Sequence, residues 1–151
     1  MRLIFLDAEP LGLLAKPGGK PQPDRCRQWI AAMLSAGVRV CVPEIADYEV
    51  RRKLLHIGAT AGVWQLDRLK TGLEYCPLTT DVMLRAAVLW AAVRSAGLPT
   101  APPEALDGDC ILAAQALLSA GPGDVLTIAT GNVGHLARFR VDARDWETIT
   151  R

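Results

Sequence analysis

The chain has 151 residues, half of them apolar, and 17 basic side chains against 16 acidic ones give a net charge of +1. This length and apolar content allow a substantial core, which excludes an intrinsically disordered protein and favours a single domain over residues 1–151. The balanced charge excludes a generally basic nucleic-acid binder, but it is compatible with a local basic rim around an acidic cleft.

Signals for export and membrane insertion are missing from the pattern. The first apolar run, residues 3–6, is too short for a signal-peptide core, and the longest run, residues 86–93, is too short to span a bilayer. The four cysteines form no Cys-x-x-Cys pair, and three of them lie in apolar segments, so we expect reduced core thiols and no zinc site. We therefore expect a cytoplasmic protein with no membrane partner.

The first part of the chain is predicted to alternate strands with helices. In chain order the pattern predicts a buried strand, a loop, a helix, a second strand and a second helix at residues 3–6, 17–23, 24–36, 38–42 and 43–57. Asp24 is the expected N-cap of the first helix, which stops at Gly37. Pro43 suits the first turn of the second helix because its missing N–H donor is no loss there.

The second part continues the alternation. The pattern predicts a helix, a short strand, a strong helix, a loop, a helix, a strand, a short helix and a last strand at residues 61–70, 74–78, 82–93, 97–105, 107–119, 125–129, 133–139 and 141–143. Thr80 or Asp81 is expected to cap the strong helix, and Asp107 or Asp109 to begin the following one. Strands separated by helices indicate an α/β fold, a three-layer α/β/α sandwich around a mainly parallel sheet of four to five strands.

Polar residues follow two of the predicted strands. Asp7 comes directly after the first strand, and Thr130 and Asn132 follow the strand at 125–129. Sites in parallel sheets form beyond the carboxyl ends of the strands. We therefore expect both segments to reach the same edge of the sheet.

Acidic residues lie at further strand ends and helix starts, but their spacing leaves choices open. Glu49 and Asp47 flank the same apolar row of one predicted helix, so helical geometry does not choose between them. Asp107 and Asp109 point in well-separated directions, so that one can cap a helix while the other faces a cleft. Asp7 itself also suits a helix cap. Carboxylates gathered in one cleft repel one another until a hard divalent cation joins them.

Four blocks of the sequence resemble the PIN-domain family, which includes the toxin ribonucleases of VapC-type toxin–antitoxin pairs. Leu-Ile-Phe-Leu-Asp7 resembles the family's first strand and first acid, and residues 43–52 place Glu49 six residues after a proline. Asp109 leads a helix rich in small residues, and Thr130-Gly-Asn132 resembles the last strand end. The blocks follow the family's order over nearly the whole chain.

The resemblance implies a site and an activity. It selects Glu49 over Asp47 and Asp109 as the third acid, with Asp107 as a further ligand or helper. The acids would hold one or two Mg2+ or Mn2+ ions and hydrolyse RNA phosphodiester bonds. Many family members carry a fourth aspartate where this chain has Asn132, and Asp107 is the candidate that compensates for it.

Supporting residues are predicted from the chemistry of such a site, and the protein partners from the resemblance. Thr130 is expected to bond a ligating carboxylate or the phosphate, Arg51 and Arg52 are candidate phosphate contacts, and His135 is expected to be a surface or packing residue. A homodimer and an antitoxin protein are the expected protein partners, besides RNA.

Two alternatives remain. A catalytically weak PIN domain that binds RNA or a protein is compatible with the amide of Asn132. A phosphoaspartate protein is suggested by Asp7-Ala-Glu9, although the segment at 77–80 lacks the aspartate that such a receiver needs.

Overall fold

A computed structural model of the protein describes residues 1–97 and 103–151. Its sheet has five strands, β1 to β5 in chain order, at Arg2–Leu6, Arg39–Pro43, Glu74–Cys76, Val125–Thr130 and Ala143–Asp145. The strand order is β3-β2-β1-β4-β5, and each neighbouring pair is parallel. The prediction of a mainly parallel sheet is confirmed.

Helices connect the strands on both sides. In the described residues they are α1 to α7, at Ala8–Leu14, Pro21–Ser35, Glu44–His56, Thr60–Gly72, Thr80–Ser95, Pro103–Ser119 and Val133–Leu136, with 3-10 turns at Ala137–Phe139 and Trp146–Thr148. Within residues 1–97 and 103–151, every helix is too short or too polar to cross a lipid bilayer.

The central strand β1 is buried on both faces. Ile4 and Leu6 pack into an apolar cluster with α1 to α4, whereas Leu3 and Phe5 pack into a second cluster with α5 and α6. This alternation follows from the two-residue period of a strand, and it separates the helices into two layers. The predicted three-layer α/β/α sandwich is therefore confirmed.

The topology fixes where a site can form. The chain runs outward from β1 to β2 and β3, and then returns to the other side of β1 to form β4 and β5. The order of strands thus reverses between β1 and β4, whose carboxyl ends lie together because Leu6 pairs with Ala129. Asp7 and the segment after Thr130 meet at this point.

Several predicted boundaries are wrong near the first helices. Helix α1 was not predicted. Helix α2 begins at Pro21, so that part of the predicted loop is helical, and Asp24 lies in the first turn, where its carboxylate accepts a hydrogen bond from the Gly19 N–H at 3.1 Å. Pro43 ends β2 and is the N-cap of α3, one residue earlier than expected.

Later boundaries differ as well. The N-cap of α5 is Thr79, whose Oγ1 accepts from the Val82 N–H at 3.1 Å, and not Thr80 or Asp81. Helix α6 begins at Pro103, so neither Asp107 nor Asp109 begins it. The predicted loop at 97–105 overlaps this helix, and its residues 98–102 lie outside the described residues. All four cysteines are free thiols, as expected.

Candidate active site

Asp7 joins the first strand to the first helix. Its N–H donates to the Ala129 carbonyl at 2.9 Å, which extends the pairing of β1 with β4. Its Oδ1 accepts from the Ala8 N–H at 2.7 Å and caps α1, while its Oδ2 accepts from the Thr130 hydroxyl at 2.7 Å. Asp7 is thus both the helix cap and the residue that faces the strand-end site.

Thr130 lies behind Asp7 and is fully buried. Its hydroxyl oxygen accepts from the Asn132 N–H at 2.9 Å, and the same hydroxyl donates to Asp7. A donor and an acceptor on either side fix the hydroxyl, which in turn fixes the carboxylate. Thr130 therefore orients Asp7 from the end of the neighbouring strand.

A cavity of about 600 Å³ lies beyond the carboxyl ends of the strands. We call it the acidic cleft, because Asp7, Glu49, Asp109 and the amide Asn132 line it. Lys16, two residues after α1, and Lys53, from α3, line the same cleft. The structure thus brings three of the four acids selected from the sequence to one place.

Glu49 reaches the acidic cleft because a glycine gives it room. Its carboxylate packs over Gly108 in α6, where an added Cβ atom would lie 2.7 Å from the Glu49 Oε1. Gly108 separates Asp107 from Asp109, so the close approach of α3 and α6 occurs next to the third acid. Asp47, by contrast, is buried on another face of α3 and pairs with Arg51.

The charges of neighbouring acids act on Glu49. Burial raises the pKa of Glu49, and the charges of Asp7 and Asp109 raise it further, while Arg52 and Lys53 oppose the change. A carboxylate near like charges and away from water is destabilised in its charged form. This is the electrostatic state that a bound cation relieves.

Asp109 shows the same pattern. Burial raises its pKa, the charge of Asp7 adds to the increase, and His135 and Arg138 lower it. The Nδ1 atom of His135 lies 3.7 Å from the Asp109 Oδ2 and 2.8 Å from the Asn132 Nδ2. His135 therefore lies at the edge of the site, where the sequence did not place it, and its three-residue spacing from Asn132 was the available signal.

Glu9 is a second residue of the cleft that sequence reasoning did not select as a ligand. It lies in the first turn of α1 and lines the acidic cleft. Burial raises its pKa, as do the charges of Asp145, Asp7 and Glu147, in that order. The signal in the sequence was its position two residues after Asp7.

Asp107 is not brought to the acidic cleft. It is exposed on α6 and lines a separate cavity of about 410 Å³, whose other lining residues include Met83 and Trp90 of α5. One helical turn does not place residues two apart on the same side, which explains why only Asp109 faces the other acids. Asp107 therefore does not compensate for Asn132 in this arrangement.

The two arginine candidates differ. Arg51 is held by ion pairs to Asp47 at 2.9 Å and Asp67 at 2.8 Å, on the side of α3 that faces α4. Arg52 lies with its guanidinium 5.1 Å from the centre of the Tyr48 ring, and its charge acts on Glu49. Of the two candidates, Arg52 is thus the one whose charge acts on an acid of the cleft.

The donor set fits a hard divalent cation. Asp7, Glu49 and Asp109 offer carboxylate oxygens, the ligands that Mg2+ and Mn2+ prefer. Burial, together with repulsion from neighbouring acids, already raises the pKa of Glu49 and Asp109. Among the described residues, no three acidic, imidazole or thiol side chains stand in ready ligand geometry, so a cation would have to draw the carboxylates together.

Comparison with known proteins agrees with the geometry. The PIN domain family profile matches residues 4–132. Solved structures with the same fold include VapBC2 from Rickettsia felis bound to a DNA fragment from their promoter (TM-score 0.73, 14% identity, covering 95% of this chain and 98% of that one). VapBC-1 from nontypeable Haemophilus influenzae is similar, with TM-score 0.67 and 17% identity over 97% of this chain and 99% of that one.

A third solved structure, FitAcB from Neisseria gonorrhoeae, has TM-score 0.63 and 18% identity over 97% of this chain and 99% of that one. Comparison with curated proteins gives no significant match. The likeness to solved structures shows the fold, and the family profile covers most of the sequence. The chain belongs to the PIN-domain family.

Proposed function

We propose that the protein is a metal-dependent endoribonuclease that hydrolyses RNA phosphodiester bonds in the cytoplasm. PIN domains are generally nucleases. The observation that carries the proposal is the convergence of Asp7, Glu49 and Asp109 on one cleft at the carboxyl ends of the strands. An open acidic cleft suits single-stranded or looped RNA better than an intact duplex.

Each residue of the cleft has a distinct task in this proposal. Asp7, Glu49 and Asp109 would hold Mg2+ or Mn2+, which when bound activates a water for in-line attack and offsets charge on the phosphate. Thr130 holds the Asp7 carboxylate in one orientation through its 2.7 Å hydrogen bond. Lys53 places a positive charge in the cleft, where it attracts the RNA backbone.

A cleavage assay tests the proposal. Purified protein is incubated with end-labelled single-stranded RNA, with Mg2+, with Mn2+ or with EDTA. We expect cation-dependent cleavage, and a loss of at least about 100-fold in Asp7→Asn, since a ligand should matter more than its supporting residues. Glu147→Gln, which removes an exposed acid in the 3-10 turn at Trp146–Thr148, is the control and should cleave normally. Absence of both cleavage and Mn2+ binding in the wild-type protein refutes the proposal.

A second candidate function is a catalytically weak PIN domain that binds RNA or a protein. Asn132 favours it, because this amide lines the cleft and hydrogen-bonds to His135 where a further carboxylate would add charge. Under this alternative the wild-type protein binds labelled RNA equally well with Mn2+ and with EDTA, and cleaves none of it.

An antitoxin protein is the proposed regulatory partner. The similar solved structures are VapBC and FitAcB assemblies, and their fold is shared over nearly the whole chain. We expect co-expression with a protein encoded next to this one to suppress cleavage, and the purified pair to elute together in gel filtration. Full cleavage activity in a stable co-purified pair would argue against inhibition.

A homodimer is proposed through the outer face of α5. Val82, Ala86 and Val93 of this helix are buried in the core, yet Leu84 and Val88 on the opposite side are 62% and 59% exposed. A helix that is apolar on both sides is typical of a helix buried by a partner.

The ends of this helix favour a second copy of the chain as that partner. Asp81 and Arg94 lie equally far from the middle of α5, on either side of the exposed apolar residues. In an antiparallel pair related by two-fold symmetry, each acid would lie level with the partner's arginine along the helix axis. Light scattering should give twice the 16.3 kDa chain mass, and Val88→Glu should give the monomer. A monomeric wild-type protein at high concentration refutes this assembly.

A further inference from the structure

The carboxylate of Glu9 lies in an unusual position. It packs directly on the backbone of Gly131, so closely that a Cβ atom at position 131 would overlap with the Glu9 Oε2. The carboxylate thus occupies the volume that any other side chain at 131 would fill. The Glu9 carboxylate can lie here because Gly131 has no side chain.

This place belongs to the acidic cleft. Gly131 lies between Thr130, which holds Asp7, and Asn132, which lines the cleft with a neutral amide. Glu9 comes from the first turn of α1 and lines the same cleft. The Glu9 carboxylate therefore reaches the end of β4, where the residue that lines the cleft is Asn132, a neutral amide.

The surroundings of Glu9 do not explain it as a structural charge. An acid in the first turn of a helix gains a modest stabilisation from the helix dipole, which is the ordinary reason for such a residue. Within residues 1–97 and 103–151, however, no cationic side chain forms an ion pair with Glu9. Asp47, by contrast, is surrounded by cations.

We propose that Glu9 supplies the fourth carboxylate of the cation site, in place of the acid that Asn132 does not provide. The inference rests on the proposed function, because it concerns the same cation. Helix α1 then contributes two acids from one turn, Asp7 and Glu9, while α3 and α6 contribute one each. The amide at 132 accordingly does not lower the number of carboxylates available to the cation.

Mn2+ titration by calorimetry tests this assignment on the full chain, independently of RNA cleavage. Glu9→Gln keeps the size of the side chain and removes its charge, and we expect the Kd for Mn2+ to increase about tenfold. Glu147→Gln removes an acid that is near Glu9 but does not line the cleft, and it should change the Kd by less than about twofold. Asp7→Asn is the reference for loss of a ligand.

Two further variants separate position from charge. Gly131→Ala keeps every charge but displaces the Glu9 carboxylate, and the flexible glutamate can move aside at little cost in folding. We expect it to weaken Mn2+ binding in the same direction as Glu9→Gln. Asn132→Asp should restore Mn2+ binding in the Glu9→Gln background. It should strengthen Mn2+ binding less in the wild-type background, because either position would supply the fourth carboxylate.

The outcomes distinguish this inference from the proposed function. If Asp7→Asn loses Mn2+ binding while Glu9→Gln and Gly131→Ala bind as the wild type does, the assignment of Glu9 is wrong and the proposed cation site stands. If the wild-type protein binds no Mn2+, the assignment of Glu9 is refuted, and the proposed function is refuted with it when RNA cleavage is absent as well. Melting curves in EDTA serve as the folding control, and Glu9→Gln should melt at or above the wild-type temperature because it removes one repulsive charge.

Discussion

Two acids of α3 that are two residues apart lie in regions with opposite electrostatics. Asp47 faces α4 and β3, where cations balance its charge. Glu49 faces the acidic cleft, where burial and the charges of Asp7 and Asp109 raise its pKa despite nearby cations. Both acids belong to the same helix and have nearly the same neighbours in sequence. The difference comes entirely from the elements that pack against each side.

Asp47 is 4% exposed and fully engaged. Its carboxylate accepts from Arg51 at 2.9 Å, lies 3.4 Å from the Lys70 ammonium and accepts from the Tyr75 hydroxyl at 3.3 Å. These contacts join α3 to α4 and β3. Removing a buried acid with this many partners would leave its cations unpaired and destabilise the fold, and the acid has no free capacity for a ligand.

Glu49 has the opposite environment. Burial raises its pKa, and the charges of Asp7 and Asp109 raise it further, against the opposing charges of Arg52 and Lys53. Placing this carboxylate in the cleft therefore costs folding free energy. Acidic clusters of this kind are typical of functional sites. The charged side chains around each acid, and not its burial or sequence position, therefore distinguish the structural acid Asp47 from the candidate catalytic acid Glu49.

The largest expected effect follows from removing the charge of Glu49 from the acidic cleft. Glu49→Gln should lower RNA cleavage by at least about 100-fold and weaken Mn2+ binding, while leaving the fold intact. The expected stability in EDTA is equal to or above that of the wild type, because a repulsive charge is lost. Cleavage rates and urea unfolding measure the two quantities. Normal cleavage by Glu49→Gln would remove the distinction between the two acids.

The second prediction concerns the other side of α3. Asp47→Asn should destabilise the protein by about 2 kcal/mol, less than for a fully buried ion pair, because Arg51 and Lys70 are partly exposed. Urea unfolding followed by circular dichroism measures the change. The folded fraction of this variant should retain Mn2+ binding. A variant that loses Mn2+ binding without losing stability would reverse the roles of Asp47 and Glu49.

A third, smaller effect comes from the residue that supports Asp7. Thr130→Val keeps the shape of the buried side chain but removes the hydroxyl that bonds Asp7 and the Asn132 N–H. We expect about a tenfold increase in the Kd for Mn2+, the lower end of what such supporting contacts contribute. Thr130→Ser retains the hydroxyl and should behave nearly as the wild type. Equal loss in both variants would point to packing instead.

Much of the fold was predictable because the strands are short apolar runs bounded by turn residues. Helix α1 was missed because it has seven residues and carries Pro10 and Gly12, which disfavour helices, although a proline is tolerated in the first turn. The start of α2 was placed too late for a related reason. Pro21 and Pro23 resemble loop residues, yet the first helical positions need no N–H donor.

The site was predictable only where strand order and the family blocks decided it. Asp7 lies at a strand end, so the parallel sheet alone placed it near Thr130. The choice of Glu49 over Asp47 needed the resemblance, since both flank the same row of α3. Glu9 was not selected, because its position two residues after Asp7 does not show how closely α1 approaches Gly131.

The smallest effect is the pH dependence of stability in the metal-free protein. Burial and neighbouring acids raise the pKa of Glu49 and of Asp109 in the folded state. Between the ordinary carboxyl pKa and the raised one, the folded protein binds more protons than the unfolded chain, so the free energy of unfolding falls as pH rises. Below the ordinary value, about 4, both states are protonated and the cost is absent.

Subtracting two unfolding curves isolates this contribution. Urea unfolding of the wild type and of Glu49→Gln in EDTA, at several pH values from about 4 upward, cancels the titration of groups that the two proteins share. The wild type should lose stability relative to Glu49→Gln as pH rises, and the difference should level off once Glu49 is ionised in both states. A difference of the opposite slope would mean that cations, and not acids, dominate around Glu49, which would make its surroundings similar to those of Asp47.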